Sequence, residues 1–245
     1  ELGELIFADE QWFFTMEYVE GVDFVGHARP TGRRRAIDAH AATRMSDTVS
    51  AADLAALVPI PAPVQQFAAD TDGFDEAKLR AALAQLAAGL KALHDAGKVH
   101  RDVKPGNVLC AADGRVTVLD FGLVTDYRER DAEDGRTICG TPDYMAPEQV
   151  ALDLVGPPAD WYAVGVMLYE VLTGTLPFSG PVASLMWQKL YAEPPPLPAD
   201  IPADLAALCR DLLARDPALR PGGGEVLRRL HVELAEADEA PHELA

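Results

Sequence analysis

The segment HRDVKPGN (100–107) contains the residue types that a phosphoryl-transfer reaction requires. A carboxylate must orient the attacking hydroxyl and accept its proton, and oxygen ligands must hold Mg²⁺. Asp102 and Asn107 lie five residues apart, which matches the pattern H-R-D-x-x-x-x-N. Asp120 follows thirteen residues after Asn107 and would bind a magnesium ion that bridges the phosphates. The spacing therefore predicts a catalytic base at Asp102 and metal ligands at Asn107 and Asp120.

The order of the short motifs narrows this chemistry to one family. DFG (120–122) contains Asp120, and APE (146–148) follows it with 23 residues between the two motifs. HRD…N, DFG and APE have a very small chance of arising together in this order and spacing. The sequence resembles the eukaryotic-type protein kinases, and specifically the serine/threonine kinases of that family found in bacteria. The resemblance covers nearly the whole chain, apart from the 25–70 region and the extreme tail.

This resemblance implies an enzyme that transfers the γ-phosphate of ATP, with Mg²⁺ or Mn²⁺, to Ser or Thr hydroxyls of protein substrates. Asp102 would be its catalytic base, and Lys104 would steady the transferring phosphoryl group. A Lys two residues after the Asp is the pattern of serine/threonine kinases. Thr141, in GTPDYMAPEQ, would help to position the base and would shape the surface on which the substrate lies.

Three further residues, besides Arg101, would support the site by the same resemblance. Glu148 of the APE motif would form a structural ion pair with Arg220 in DPALRP. Asp160, in DWYAVG, would support the catalytic loop from below without reacting itself. His100 is expected to pack and to form hydrogen bonds, not to act as an acid or a base.

The segment between DFG and APE is the predicted activation loop. By the resemblance, Arg101 would bind this loop once it is phosphorylated, because charge-assisted bonds to a phosphate can order a segment. Thr125, Thr137 and Thr141 are the threonine acceptors in the loop, and Thr137 is the predicted site. The loop also carries four acidic residues that could partly substitute for a phosphate: Glu129, Asp131, Glu133 and Asp134.

The stretch TMEYVEGVDF, near the start of the sequence, is by resemblance the hinge that holds adenine. Met16 would be the gatekeeper at the back of the adenine pocket. Glu17 would offer its backbone carbonyl, and Val19 its backbone N–H, to the adenine edge. Asp23 would stand beside the ribose hydroxyls, and Leu109 would lie beneath the adenine. Taken alone, the stretch would be better explained as only a strand end and a turn.

The elements that must position these residues follow from hydrophobic patterning. Residues 2–7 and 12–19 predict two strands of a hairpin, with apolar bulk on both faces, as in a sheet covered on both sides. A long helix is predicted where leucines recur at helical spacing, at Leu79, Leu83, Leu86, Leu90 and Leu93. DWYAVGVMLYEVLTG is apolar all round and predicts a buried helix. Three more helical segments follow: PVASLMWQKLYA, ADLAALCRDLLARD and GGEVLRRLHVEL.

The predicted fold is α+β and protein-kinase-like, with a mainly helical C-terminal lobe and a remnant β-hairpin and hinge of the N-terminal lobe. Residues 1–24 would form the last two strands of the N-lobe and the hinge, and residues 25–72 a variable insertion or linker around the first C-lobe helix. Residues 73–232 would form the C-lobe, and residues 233–245 an acidic tail leading towards further fused domains.

Three parts of the family pattern do not occur in the 245 residues: a Gly-rich loop, a Val-Ala-Ile-Lys strand, and a partner Glu on a following helix. The chain is therefore expected to lack most of the N-lobe and to be impaired alone, although its gene product is expected to be a working kinase. The alternative is a pseudokinase or scaffold that binds partners without catalysis, which the intact Asp102, Lys104, Asn107 and Asp120 disfavour. A small-molecule phosphotransferase would not need the APE segment.

Composition excludes several other classes. A net charge of −18 argues against a nucleic-acid binder, which would carry a basic surface. The three cysteines have neither metal-site nor disulfide spacing, which favours a reducing compartment and a cytoplasmic protein. The longest apolar stretch, WYAVGVML (161–168), is too short to span a bilayer.

Overall fold

The computed structural model describes residues 2–8, 11–16, 20–30, 73–120, 125–126 and 140–231. The predicted hinge contacts of Glu17 and Val19, the predicted phosphorylation site Thr137, and the acidic tail lie outside these ranges. Most of the predicted 25–72 insertion lies outside them as well.

The predicted N-terminal hairpin is confirmed. Strand β1 (Leu2–Ala8) pairs antiparallel with β2 (Gln11–Met16), so that Ile6 lies opposite Phe13 and Phe7 opposite Trp12. Met16, the predicted gatekeeper, is the last residue of β2.

A short helix follows the predicted hinge. Strand β3 (Val22–Asp23) leads directly into α1 (Phe24–Ala28). Asp23 is the N-cap of this helix, because its Oδ1 accepts a hydrogen bond from the Gly26 amide at 2.8 Å. The chain therefore turns from strand to helix at the residue that sequence analysis assigned to ribose binding.

The long helix predicted from the leucine spacing is confirmed as α2 (Glu76–Asp95). Its start is capped by the Asp75 carboxylate, which accepts a hydrogen bond from the Lys78 amide at 3.0 Å. Leu79, Leu83, Leu86 and Leu90 are buried along one face, and Leu93 is half-buried. After the helix, Gly97 adopts a left-handed backbone with φ of 77°, which glycine accepts without strain.

Short strands follow α2 on both sides of the predicted catalytic segment, HRDVKPGN (100–107). Strand β4 (Lys98–Val99) pairs with β7 (Thr125–Asp126). A 3₁₀ turn (Pro105–Asn107) leads into β5 (Val108–Cys110), which pairs with β6 (Val116–Val118). β3 pairs with the other edge of β5, which gives a three-stranded sheet in the order β3-β5-β6.

The remaining described elements are helical. They are α3 (Pro147–Val150), α4 (Pro157–Thr173), α5 (Val182–Tyr191), α6 (Ala203–Leu212), a 3₁₀ turn (Pro217–Leu219) and α7 (Gly223–Arg229). Helix α4 is buried on nearly all sides, as its apolar composition predicts, and it forms the centre of the core. At Gly165 a Cβ would lie 2.8 Å from the Cβ of Leu212, so glycine permits the close contact of α4 with α6. No helix in the described ranges has the length and hydrophobicity that crossing a membrane requires.

Candidate active site

The Asp102 carboxylate is the centre of a compact polar cluster. Its Oδ1 accepts hydrogen bonds from both the backbone N–H and the hydroxyl of Thr141, each at 2.9 Å. Its Oδ2 lies 2.7 Å from the Lys104 ammonium and accepts a bond from the Asn107 amide at 3.1 Å. The cluster brings together four of the residues that sequence analysis assigned to catalysis and substrate binding, and it holds the carboxylate in one orientation.

Lys104 and Asn107 are oriented by further bonds. The Lys104 ammonium also donates to the Thr141 hydroxyl at 2.9 Å, so that Lys104, Thr141 and Asp102 form a closed triangle. Asn107 directs its amide nitrogen to the Asp102 backbone carbonyl at 2.8 Å as well as to the carboxylate. Since both partners are acceptors, the amide nitrogen must face Asp102, which leaves the Asn107 side-chain carbonyl oxygen for another ligand.

Asp160, near the start of α4, supports the catalytic segment from beneath. It is buried, and its carboxylate accepts hydrogen bonds from the backbone N–H groups of His100 at 2.9 Å and Arg101 at 2.8 Å. The His94 ring contacts the same carboxylate at 2.8 Å. Asp160 therefore satisfies two backbone donors that would be costly to leave unpaired in the core.

Arg101 has an unusual backbone conformation, and hydrogen bonds to its N–H and carbonyl hold it in place. Its φ is 70°, a left-handed conformation that a non-glycine residue adopts at a cost. Its carbonyl accepts a bond from the Gln149 amide at 3.1 Å, while its N–H is bound to Asp160. The Arg101 side chain is buried, and its Nε has no hydrogen-bond partner among the residues that the structure describes. An unpaired buried donor at this position suits the predicted role of Arg101 in binding an anionic group.

His100 joins the catalytic segment to the segment that carries Asp120. The ring is fully buried; its Nε2 contacts the Leu119 carbonyl at 3.0 Å, and its Nδ1 accepts a bond from the Asp102 amide at 3.4 Å. A neutral ring with the proton on Nε2 satisfies both contacts. The Leu119 backbone N–H also donates to the Asn107 backbone carbonyl at 2.8 Å. Asp120 therefore follows directly after a residue whose backbone is held by hydrogen bonds.

The structure also brings together Glu148 and Arg220, the pair assigned to structural support. Two parallel hydrogen bonds of 2.6 and 2.8 Å join the guanidinium to the carboxylate, and both side chains are buried. Arg220 also donates to the backbone carbonyls of Pro158, Ala214 and Arg215. Every nitrogen of the buried guanidinium is thus bonded, which such a charge requires.

Of the residues predicted to bind the nucleotide, Asp23 and Leu109 are brought together as register partners between β3 and β5. Asp23 uses Oδ1 to cap α1, so the capping role and the predicted ribose contact fall on the same carboxylate. The glycine before β3 allows a close approach of the chain, because a Cβ at Gly21 would lie 2.7 Å from the Cys110 carbonyl oxygen.

Several residues that act on this site were not singled out by sequence analysis. As described above, the His94 ring contacts the Asp160 carboxylate, and the Gln149 amide donates to the Arg101 carbonyl. Lys189, on α5, is buried and donates to the Asp143 carbonyl at 2.9 Å. Its spacing carried a signal, since Lys189 follows Leu185 by four residues and therefore lies on the apolar face of its helix.

The residues present fit a magnesium ion that is bound together with phosphates. Mg²⁺ takes oxygen ligands and is commonly held by one or two protein side chains plus the phosphates of a substrate. The free carbonyl oxygen of Asn107 and the exposed carboxylate of Asp120 are ligands of this kind. Asp120 has φ of 59°, a left-handed conformation that Asp tolerates better than most residues.

Comparison with known proteins agrees with this geometry. The chain matches the family model of the protein kinase domain over residues 61–232. Serine/threonine-protein kinase AtPK2/AtPK19 of Arabidopsis thaliana is 38% identical over 151 residues, which cover 62% of this chain and 31% of that protein. The RAC family serine/threonine-protein kinase homolog of Dictyostelium discoideum is 35% identical over 156 residues, covering 64% of this chain and 35% of its own. Serine/threonine-protein kinase PknA of Mycobacterium tuberculosis is 38% identical over 143 residues, covering 58% and 33%.

The matched part of the chain spans about a third of the length of these curated relatives. The family model covers more than half of the 245 residues, and its match includes the Asp102 cluster, Asp160 and the Glu148–Arg220 pair. The chain belongs to the protein kinase domain family.

Proposed function

We propose that this chain provides the acceptor side and part of the nucleotide side of a serine/threonine protein kinase, which transfers the γ-phosphate of ATP to Ser or Thr hydroxyls of proteins. The observation that carries the proposal is the Asp102 carboxylate held between Thr141, Lys104 and Asn107. A fixed carboxylate beside a lysine supplies the base and the positive charge that phosphoryl transfer to a hydroxyl requires.

The hydrogen bonds around Asp102 indicate how an acceptor hydroxyl would bind. Each carboxylate oxygen already has two donors, so a hydroxyl must take the place of one of them. Lys104 is the donor best able to move, because it has a flexible stem and its side chain is 21% exposed. Release of Lys104 from Oδ2 would leave that oxygen to accept the hydroxyl proton and would place the ammonium near the transferring phosphate.

Asn107 and Asp120 would hold Mg²⁺, which neutralises phosphate charge when it is bound. Asp102 would not need to change its position during this step, since Thr141 anchors Oδ1 through two bonds. The role of Thr141 is therefore orientation of the base, and the role of Asp160 is to hold the backbone that carries it.

Two observations support Ser/Thr as the acceptor class. A lysine two residues after the catalytic Asp, as at Lys104, is typical of serine/threonine kinases, and the relatives above are named serine/threonine-protein kinases. We also propose that the protein is cytoplasmic and of bacterial origin. The three cysteines, which have neither metal-site nor disulfide spacing, favour a reducing compartment, and the sequence resembles the serine/threonine kinases found in bacteria. Burial raises the pKa of the Cys110 thiol to about 11 and that of the Cys209 thiol further still, so neither behaves as a reactive thiolate.

A second candidate function is a scaffold without catalysis. The observation in its favour is that the 245 residues contain no Gly-rich loop and no Val-Ala-Ile-Lys strand to hold the phosphates. Loss of one such electrostatic group costs on the order of 10²–10³ in rate. A substitution at Asp102 distinguishes the two candidates, because partner binding by a scaffold would not depend on the charge of Asp102, whereas catalysis would.

The test is transfer of labelled phosphate from ATP to Ser/Thr and Tyr peptides, with the 245-residue chain and the complete gene product assayed side by side. We expect Ser/Thr-specific transfer by the gene product and little by the isolated chain. Asp102→Asn should lower the transfer rate by a factor on the order of 10²–10⁴, whereas Asp113→Asn, the same change in an exposed turn, should leave it unchanged. Transfer that is equal in both variants would refute the proposal.

A further inference from the structure

A buried lysine on helix α5 has no part in the mechanism above. The Lys189 side chain is enclosed, although lysines are seldom fully buried unless they are paired. It lies on the inner face of α5 with Leu185 and Met186. Met186 packs against Met145, the last residue of the predicted activation loop, and against Val150 on α3. Helix α5 thus presents one cationic group within an otherwise apolar contact.

The surroundings of Lys189 give its ammonium two favourable contacts. It donates to the Asp143 backbone carbonyl at 2.9 Å and lies 5.1 Å from the centre of the Tyr162 ring on α4. Arg220 lies 5.0 Å from the same ring centre, and Glu148 neutralises it. Among the described residues, the charged and titratable groups at or next to these contacts are Asp143, Tyr162, Arg220 and Glu148.

The bonded carbonyl belongs to the turn that carries Thr141. This turn is closed by bonds from the amides of Tyr144 at 2.9 Å and Met145 at 3.2 Å to the Thr141 carbonyl. At its start, the Thr141 amide and hydroxyl both bind Asp102. The Asp143 carbonyl lies within the turn, so a bond from α5 holds one side of it and the catalytic carboxylate holds the other.

We propose that Lys189 is a positioning residue: from α5 it fixes the turn Thr141–Met145, and through Thr141 it sets the orientation of Asp102 towards the acceptor hydroxyl. This role rests on the proposed kinase function. Lys189 touches neither substrate nor nucleotide ligands, so its influence would fall on the acceptor side of the reaction. Burial lowers the pKa of Lys189 to about 7, while the Asp143 charge opposes this shift. The strength of the bond to the turn therefore changes near neutral pH.

The test follows the Thr141 methyl signal by NMR in the 245-residue chain with ¹³C-methyl threonine, between about pH 6 and pH 9. Thr141→Ser, which lacks the methyl group, assigns the signal. We expect a midpoint near 7 in the wild type, set by Lys189. The midpoint should disappear in Lys189→Met and persist in Lys91→Met, the same change in an exposed pair on α2.

A midpoint near 7 that persists in Lys189→Met would overturn the inference, because a group other than Lys189 would then cause it. If Lys189→Met does not fold, the Lys189 Cε and Thr141 methyl signals of the wild type must titrate together, and different midpoints would overturn it equally. In the active gene product, Lys189→Met should lower kcat/KM for the acceptor peptide about tenfold and leave the KM for ATP unchanged. If the wild type transfers no phosphate, the proposed function fails, and the methyl titration alone decides the role of Lys189.

Discussion

Replacement of Glu148 by Gln tests whether the buried ion pair with Arg220 holds α3, which follows the predicted activation loop, to the helical core. Glutamine keeps the shape of the side chain but turns an amide N–H towards one of the two guanidinium nitrogens now bonded at 2.6 and 2.8 Å. The Arg220 charge stays buried and loses its counter-ion, which typically costs about 3–5 kcal/mol.

The expected loss lies at the lower end of this range. Arg220 keeps three backbone carbonyl partners, those of Pro158, Ala214 and Arg215, which still solvate part of its charge. We therefore expect Glu148→Gln to lower the free energy of unfolding by about 3 kcal/mol. That is a large fraction of the roughly 5–15 kcal/mol that a domain of this kind has available.

The assay is equilibrium unfolding in urea, followed by far-UV circular dichroism and by tryptophan fluorescence, to which the buried Trp161 contributes. The matched control is Glu193→Gln, because Glu193 pairs with Arg215 at 2.8 Å but its side chain is 83% exposed. An exposed pair of this kind should contribute no more than about 1 kcal/mol. Equal losses in the two variants would refute the reasoning that burial sets the value of the Glu148–Arg220 pair.

The remaining predictions concern the base and the buried lysine. Thr141→Val removes one of the two hydrogen bonds to Asp102 Oδ1 and should lower kcat about tenfold or more, whereas Thr141→Ser keeps the hydroxyl and should retain activity. Equal kcat values for the Val and Ser variants in steady-state assays would contradict this. Because burial lowers the pKa of Lys189 from 10.5 to about 7, the folded chain binds fewer protons than the unfolded chain between these values. The unfolding free energy of the wild type relative to Lys189→Met should therefore rise with pH across this window, by up to about 1.4 kcal/mol per pH unit, and urea titrations that show a fall would exclude the shift.

Local patterning was sufficient to predict the elements that carry the site. The leucine spacing of α2 and the uniform hydrophobicity of α4 report on burial directly, because a helix repeats every 3.6 residues and shows its buried face in the sequence. Motif spacing identified Asp102 and Asn107, and the family resemblance added Lys104 and Thr141; the structure places all four in one cluster. These residues lie in short motifs whose spacing reflects the chemistry that they serve.

Contacts between distant segments could not be predicted in the same way. His94 meets Asp160 across 66 residues, and Lys189 meets Asp143 across 46, so both contacts depend on how helices pack together. Asp23 shows a second reason, since its carboxylate caps α1 and a capping residue looks the same in a sequence as a ligand-binding residue. Burial of a charged side chain such as Lys189 also contradicts the usual expectation for lysine, and only its position on an apolar helix face indicated it.

The central claim is that the Asp102 carboxylate, held by Thr141, Lys104 and Asn107, serves phosphoryl transfer. The most direct measurement is the initial rate of γ-phosphate transfer from ATP to a Ser/Thr peptide by the complete gene product and its Asp102→Asn variant. The account predicts a rate loss on the order of 10²–10⁴ with an unchanged far-UV circular dichroism spectrum. Equal rates in a folded Asp102→Asn variant, or no transfer by the wild type with ATP and Mg²⁺, would contradict it.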